Sequence, residues 1–273
     1  MNHDAKGDRL RAISRVYGPE AWKVYDLLDQ SLEPRGPDML LALATERLAE
    51  ASTVLDVGCR DAAHLIEIVR SSGASGVGID PVPHLVEQAR AAVCEAGLAD
   101  RVDVLEGVMG EIPFPDASFD LVWCRDVIEL IEELDEGIAE MARVLGPDGR
   151  VILYTVVATD LLEPKEAALL GQSLAVVPAN LVEERVEAAF ARAGLEVEVK
   201  DVVGTEWREH AEERTQPGSR ALLRLARLRR LRGRIVEEAG EEIYGHVESS
   251  LHWLVFLFLG KLVPIVYVLR KAR

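Results

Sequence analysis

Short apolar runs recur along the first half of the chain, at residues 53–57, 76–79 and 102–105. Between them lie segments with apolar residues at helical spacing, 61–70 and 84–93, which stop before Gly73 and Gly97. Glycine is the usual stop because it enters the left-handed region at little cost. Strand and helix alternating over short links predict a parallel sheet with right-handed crossovers. A fourth run at 119–124 and a fifth at 150–155 continue the rhythm, separated by a helix at 134–145 and a turn at Gly146-Pro147-Asp148-Gly149. The predicted fold is therefore α/β, with a doubly wound sheet.

Beyond residue 155 the spacing loosens. An inserted helix is predicted within 160–174, and Asn180 with Glu183 forms a capping signal for a helix at 181–193 that Gly194 stops. Alternation marks a sixth strand at 195–203, residues 206–260 are mostly helical, and β-branched residues mark a last strand at 265–269. The organisation read from this is amino-terminal cap helices over 1–50, carrying Trp22 and Met39, and an α/β core over 51–204 with an insertion near 160–175. A helical cap over 205–260 and a final core strand within 261–273 complete it. The caps are expected over the carboxyl edge of the sheet, where open α/β sheets bind ligands.

Charge narrows the partners. The 273 residues include 31 Lys+Arg against 47 Asp+Glu, a formal charge of −16, which repels nucleic-acid phosphates and anionic lipid. Neither partner is expected. Arg214, Arg220, Arg224, Arg227, Arg229, Arg230, Arg232 and Arg234 do cluster among leucines. That cluster reads as a cap helix whose leucines pack inward while its arginines pair with the protein's own carboxylates. The apolar segment 251–269 approaches the length of a membrane span, but Gly260, Lys261 and Pro264 interrupt it, so a buried helix followed by a strand is expected. The amino terminus lacks the apolar core of a signal peptide. Cys59, Cys94 and Cys124 are spaced as reduced thiols, and neither Cys nor His shows metal-ligand spacing, so a cytoplasmic protein without a metal is expected.

The chemistry concentrates where the first strand turns at Gly58 into a helix, in Val54-Leu-Asp-Val-Gly-Cys-Arg-Asp-Ala-Ala-His-Leu65. Dinucleotides place a pyrophosphate on such a helix N-terminus and need several glycines for close approach. Here Arg60 and Ala62 take two of those positions, and Asp61 puts a carboxylate where the phosphate would lie. A ligand with an ammonium, a carboxylate and a ribose fits better. Asp56 suits the ammonium, Arg60 the carboxylate, and Asp80, ending the second strand, two ribose hydroxyls.

These residues carry a resemblance. With LDVGC at 55–59, GVGIDP at 76–81, EGVMGEIPFPDASFDLVWCRDVIE at 106–129 and ARVLGPDGRVILY at 142–154, the chain resembles class I S-adenosylmethionine-dependent methyltransferases of the small-molecule, ubiquinone-biosynthesis-like branch. The resemblance implies a seven-stranded Rossmann-like sheet whose final strand is antiparallel, with helical cap insertions. It also implies S-adenosyl-L-methionine as cofactor, S-adenosyl-L-homocysteine as product and a small-molecule acceptor with an oxygen, nitrogen or carbon nucleophile. Gly58, Asp80, Met109 and Cys124 would surround the cofactor, together with Asp56, Arg60, Pro81, Val108 and Arg125. The chain departs from the family pattern at Arg60 and Ala62, at Val108, where relatives often carry an acidic residue, and at Leu130 after Glu129, where several carry histidine. A left-handed backbone at Ala62 would cost about 1 kcal/mol or more.

A sulfonium is a strong electrophile, so alignment and exclusion of water suffice for much of the rate. Where the acceptor is a phenol a base helps, and Glu129, His210, His252 and Tyr17 are the candidates. The plainer roles are a helix-surface carboxylate for Glu129, surface or hydrogen-bonded histidines, and an Arg125–Asp126 pair that caps the following helix. Trp207, Arg208 and Trp253 are candidates for the acceptor pocket. The rival reading is a non-methylating relative that keeps the fold as a binding or regulatory protein. Oligomeric state stays open, a homodimer included.

Overall fold

The computed structural model describes residues 3–272. The chain divides into two compact units, Met1–Arg35 and Gly36–Arg273. The first holds helices α1 (His3–Val16) and α2 (Pro19–Leu28), the latter opening on a proline whose fixed φ suits a first helical turn. Leu10, Ile13, Trp22 and Leu27 are exposed on it.

The second unit begins with α3 (Asp38–Thr45), whose Leu40 and Ala44 are buried in this unit's core rather than in an amino-terminal cap. Then β1 (Thr53–Val57), α4 (Ala63–Ser72), β2 (Ser75–Asp80), α5 (Pro83–Glu95) and β3 (Val102–Glu106) alternate as the apolar runs predict. They are followed by β4 (Phe119–Arg125), α6 (Leu134–Val144) and β5 (Leu145–Ala158). The insertion is α7 (Pro164–Leu174), and α8 (Glu183–Arg192) leads into β6 (Leu195–Val202). Helices α9 (Glu206–Thr215), α10 (Pro217–Arg230) and α11 (Arg232–Phe258), the last kinked at Gly240, precede β7 (Leu262–Lys271).

Among the described residues the strands form a seven-stranded sheet in the order β3-β2-β1-β4-β5-β7-β6. Pairs from β3 through β5 are parallel, and β7 runs antiparallel to both β5 and β6. The order reverses between β1 and β4, so a crevice opens at their carboxyl ends.

Alternation of side chains along each strand splits the core into two layers. Val54, Leu121 and Trp123 pack with Leu65 and Ile68 of α4, Val86 of α5, and Trp207, Phe256 and Leu257 of the cap. Leu55, Val57, Val122 and Leu153 pack with Ile138 and Met141 of α6 and Phe190 of α8. Burial on both faces explains why these strands read as continuous apolar runs.

Three expectations need correction. The turn at 146–149 is absorbed into the start of β5, where Leu145 pairs with Phe119 before the register shifts, so the expected loop is a strand irregularity. Asn180 does not cap α8. It is buried in a short 3-10 turn, Pro178–Leu181, and the cap position is Val182. The arginine cluster spans three helices, α9, α10 and α11, rather than one, and only some of it is neutralised. Arg232 pairs with Glu241 at 2.7 Å and Arg234 with Glu238 at 2.7 Å, whereas Arg220, Arg224, Arg227 and Arg230 make no ion pair among the described residues. No described helix is long and apolar enough to cross a membrane; segment 251–269 is the end of α11, a turn and most of β7.

Candidate active site

The turn after β1 is held to the neighbouring strand by its backbone. The N–H groups of Gly58 and Cys59 donate to the Ile79 carbonyl at 2.8 and 3.0 Å, and Ala62 N–H donates to Cys59 O at 2.7 Å. Gly58 has φ +72°, and a Cβ there would stand 2.4 Å from Val127 Cγ2. Glycine is therefore required sterically as well as conformationally. Arg60 and Ala62 follow the same left-handed path with φ of 50° and 57°. The substitutions have thus left the turn in place at the cost of strain, since an L side chain is disfavoured there.

Asp80 explains why the strained turn holds. Its Oδ2 accepts Arg60 N–H at 2.9 Å and its Oδ1 accepts Val82 N–H at 3.0 Å, so one carboxylate ties the β1 turn to the β2 turn. Each oxygen keeps one lone pair for a ligand hydroxyl. Asp80 lines a cavity of about 370 Å³ with Gly58, Arg60, Ile79, Pro81, Val82, Leu85, Val108, Met109, Val127, Leu130 and Ile131. Val108 is half exposed at its rim, and Met109 is buried against Gly137. The segment that carries both is braced by Arg143, which donates to the carbonyls of Phe114 at 2.7 Å and Ile112 at 2.9 Å.

A second cavity of about 410 Å³ adjoins it at Gly58, Arg60 and Asp126 and is lined further by Asp61, His64 and Arg125. Arg60 is well exposed and its guanidinium lies 3.3 Å from Asp61. Beneath the turn Asp56 is only 3% exposed, and its Oδ2 has no hydrogen-bond partner among the described residues. Burial, reinforced by the Asp80 and Asp61 charges, pushes its pKa up to about 8. It forms part of the floor rather than the lining.

Arg125 is fixed from several sides. Its Nη1 lies 2.8 Å from His64 Nε2, its Nε donates to Asp126 at 3.3 Å, and its guanidinium lies 5.3 Å from the Tyr154 ring centroid. Tyr154 in turn stacks on Trp207 at 5.0 Å and 3°. Arginine only donates, so His64 Nε2 accepts and its proton sits on Nδ1. Burial and the Arg125 charge keep His64 neutral by lowering its pKa to about 4.

The third cavity, about 450 Å³, meets the second at Arg125 and Asp126 and runs under the cap. Glu129, Leu130, Tyr154, Leu174, Val176, Arg208, Ser250, Trp253 and Leu257 complete its lining. Glu129 is not a surface carboxylate. It is 3% exposed, its Oε1 accepts Thr155 Oγ1 at 2.7 Å and Val156 N–H at 2.6 Å, and its Oε2 has no partner among the described residues. Burial and the neighbouring Asp126 raise its pKa to about 7.

The turn Ile128–Leu130 that presents Glu129 is clamped by buried Asn180, whose amide donates to Ile128 O at 2.8 Å and Ile131 O at 2.7 Å. Thr155 and His64 were not singled out from the sequence, and Asn180 was singled out only as a helix cap. Asn180 gave a misleading local signal because its partners lie about fifty residues away.

Other sequence candidates lie elsewhere. Cys124 is buried in the layer beside α6 and is absent from the lining of all three cavities, because the strand alternation points it away from the cleft. His210 packs over Gly36, and His252 bonds Glu248 O at 2.8 Å; neither lines the three cavities. Tyr17 is 75% exposed in the unit Met1–Arg35.

Comparison with known proteins shows which family and fold the chain shares. A family model described as a methyltransferase domain matches residues 55–153. The chain is 30% identical over 196 residues to the methyltransferase GfsG of Streptomyces halstedii, covering 67% of each protein. It is 35% identical over 122 residues to a probable chloroplastic tocopherol O-methyltransferase of Oryza sativa, covering 45% of this chain and 33% of that protein. The chain thus spans a third to two thirds of the length of these relatives. The cyclopropane synthase MmaA2 of Mycobacterium tuberculosis superposes with a TM-score of 0.67 at 16% identity, covering 89% of this chain and 86% of that one, so the sheet and its flanking helices share one fold.

Proposed function

Given that the chain belongs to the class I S-adenosylmethionine-dependent methyltransferases, with S-adenosyl-L-methionine as cofactor, we propose that it methylates a small-molecule oxygen nucleophile in the 450 Å³ cavity, with Glu129 as general base. The observation that carries this reading is Glu129, a residue in the lining of that cavity whose buried Oε2 has no hydrogen-bond partner among the described residues.

The cofactor suits the residues present. The largely apolar 370 Å³ cavity with Asp80 on one wall fits an adenosine, and the orphaned Asp56 carboxylate beneath the turn suits a nearby cation. Asp80, Gly58, Pro81, Val108 and Met109 would hold the adenosine end, and Arg60 and Arg125 the methionine end, with Asp56 acting from below. When bound, the cofactor supplies an electrophilic methyl group on a sulfonium.

The protein's own contribution is to position the acceptor and remove its proton. Thr155 and Val156 hold Oε1 of Glu129, which leaves Oε2 to take the proton. A base with a pKa near 7 is half ionised at neutral pH, close to the best compromise between availability and strength. Leu174, Val176, Trp253 and Leu257 give the acceptor an apolar wall to pack against. No described group of three or more His, Cys, Asp or Glu is arranged to hold a metal.

The test is Glu129→Gln with phenolic acceptors. Turnover should fall by about 10²–10⁴ and the rise of kcat/KM through pH 7 should disappear, while S-adenosylhomocysteine affinity by calorimetry stays within twofold. Unchanged turnover would remove Glu129 from the chemistry.

A further inference from the structure

We propose that the acceptor is a hydroxy acid whose carboxylate is bound by Arg208, while its hydroxyl meets Glu129. This inference rests on the methyltransferase reading above and names its substrate class. Two arginines line the 450 Å³ cavity, and they differ in how they are satisfied. Arg125 is tied to His64, Asp126 and the Tyr154 ring. Arg208 makes no ion pair and no side-chain hydrogen bond among the described residues, and its Nε is buried without a partner.

Its position makes that cost larger. Arg208 lies in the first turn of α9, its N–H bonded to Thr205 O at 2.9 Å, where the helix dipole disfavours a cation and attracts an anion. Leu174, Val176, Trp253 and Leu257 supply an apolar wall in the same cavity, and Arg208 Nε is shut off from water. A buried donor left unpaired is unfavourable, and a carboxylate is the group whose geometry matches a guanidinium fork.

Charge points to a monoanion. Within the lining Asp126 pairs directly with Arg125 and reaches Arg208 only through its charge, so one carboxylate is shared between two arginines and Arg208 has no ion pair of its own, while Glu129 is needed as an acceptor of a proton. A phosphate dianion would add a second negative charge beside Asp126 and Glu129. One molecule with a carboxylate, an apolar frame and a hydroxyl meets at once the two lining residues that carry an orphaned atom, the Arg208 guanidinium and the Glu129 carboxyl.

The experiment is binding by calorimetry with S-adenosylhomocysteine present, using hydroxybenzoates and hydroxycinnamates, each beside its own methyl ester. At least one acid should bind wild type tenfold or more tighter than its ester. Arg208→Met should bring the pair within about twofold, Arg208→Lys should restore part of the difference, and S-adenosylhomocysteine affinity should be the same in all three. If wild type prefers no acid over its ester, or if the preference survives in Arg208→Met, the assignment is overturned. Absence of S-adenosylhomocysteine binding to wild type is a separate result and removes the methyltransferase reading beneath it.

Discussion

Asp56 and Glu129 are both carboxyl groups near the carboxyl edge of the sheet, and burial raises the pKa of each, but their environments assign them different work. Oε1 of Glu129 is hydrogen-bonded while its second oxygen is buried without a partner, in a residue that lines a cavity. Asp56 is sealed beneath the turn with two other carboxylates as its nearest negative charges. An acid whose folded-state pKa lies at about 8 against an ordinary 3.8 binds more protons folded than unfolded across that window. Stability therefore declines as pH rises through it. Asp56→Asn should raise the stability of the ligand-free protein at pH 8 by about 1–3 kcal/mol, measured by urea unfolding. The gain should shrink toward zero near pH 4, and the same substitution should weaken cofactor binding. A gain that did not vary with pH would mean that the Asp56 charge is compensated in the folded protein.

At the scale of elements, the site depends on short turns held by side chains distant in sequence. Asp80 joins the β1 and β2 turns, Arg143 braces the segment that carries Met109, and Asn180 clamps the turn that presents Glu129. Asn180→Ala would leave the carbonyls of Ile128 and Ile131 without their donor, a loss of about 1–3 kcal/mol. Turnover should fall and the kinetic pKa near 7 should move, with a smaller loss of cofactor affinity, because the clamped turn carries Glu129 on the acceptor side while its Leu130 and Ile131 line the 370 Å³ cavity. An unaltered pH profile in Asn180→Ala would show that the turn keeps its geometry without the clamp. The strained β1 turn offers a converse case. Ala62→Gly should relieve about 1 kcal/mol of left-handed strain, partly offset by the freedom glycine gains in the unfolded chain. Chemical denaturation of the variant reads the net effect.

For the whole molecule, ligand binding at the switch point must stabilise the folded unit. At 100 times Kd, S-adenosylhomocysteine should add about 2.7 kcal/mol and raise Tm by roughly 5–10 °C. NADH should add nothing, because a pyrophosphate would meet the Asp61 carboxylate at the start of α4. A shift with NADH and none with S-adenosylhomocysteine would reverse the cofactor assignment, and no shift with either would favour the binding or regulatory relative.

Much of the architecture was legible from the chain alone. The order of strands and helices follows from apolar spacing and glycine stops, and the turn at Gly58 with Asp80 twenty-two residues later follows from local motifs. These are short-range properties, set by backbone sterics and by which face of each element is apolar. The tertiary structure decided what depends on distant partners. It turned Cys124 into the core, moved Asn180 from a helix cap to a clamp on the Glu129 turn, and kept His210 and His252 out of the cavity lining. It also buried Glu129 and left Arg208 unpaired beside it. Burial and pairing are properties of segments brought together from opposite ends of the chain, so the pKa of an acid and the unmet charge of an arginine exist only once the sheet and its cap have closed around them.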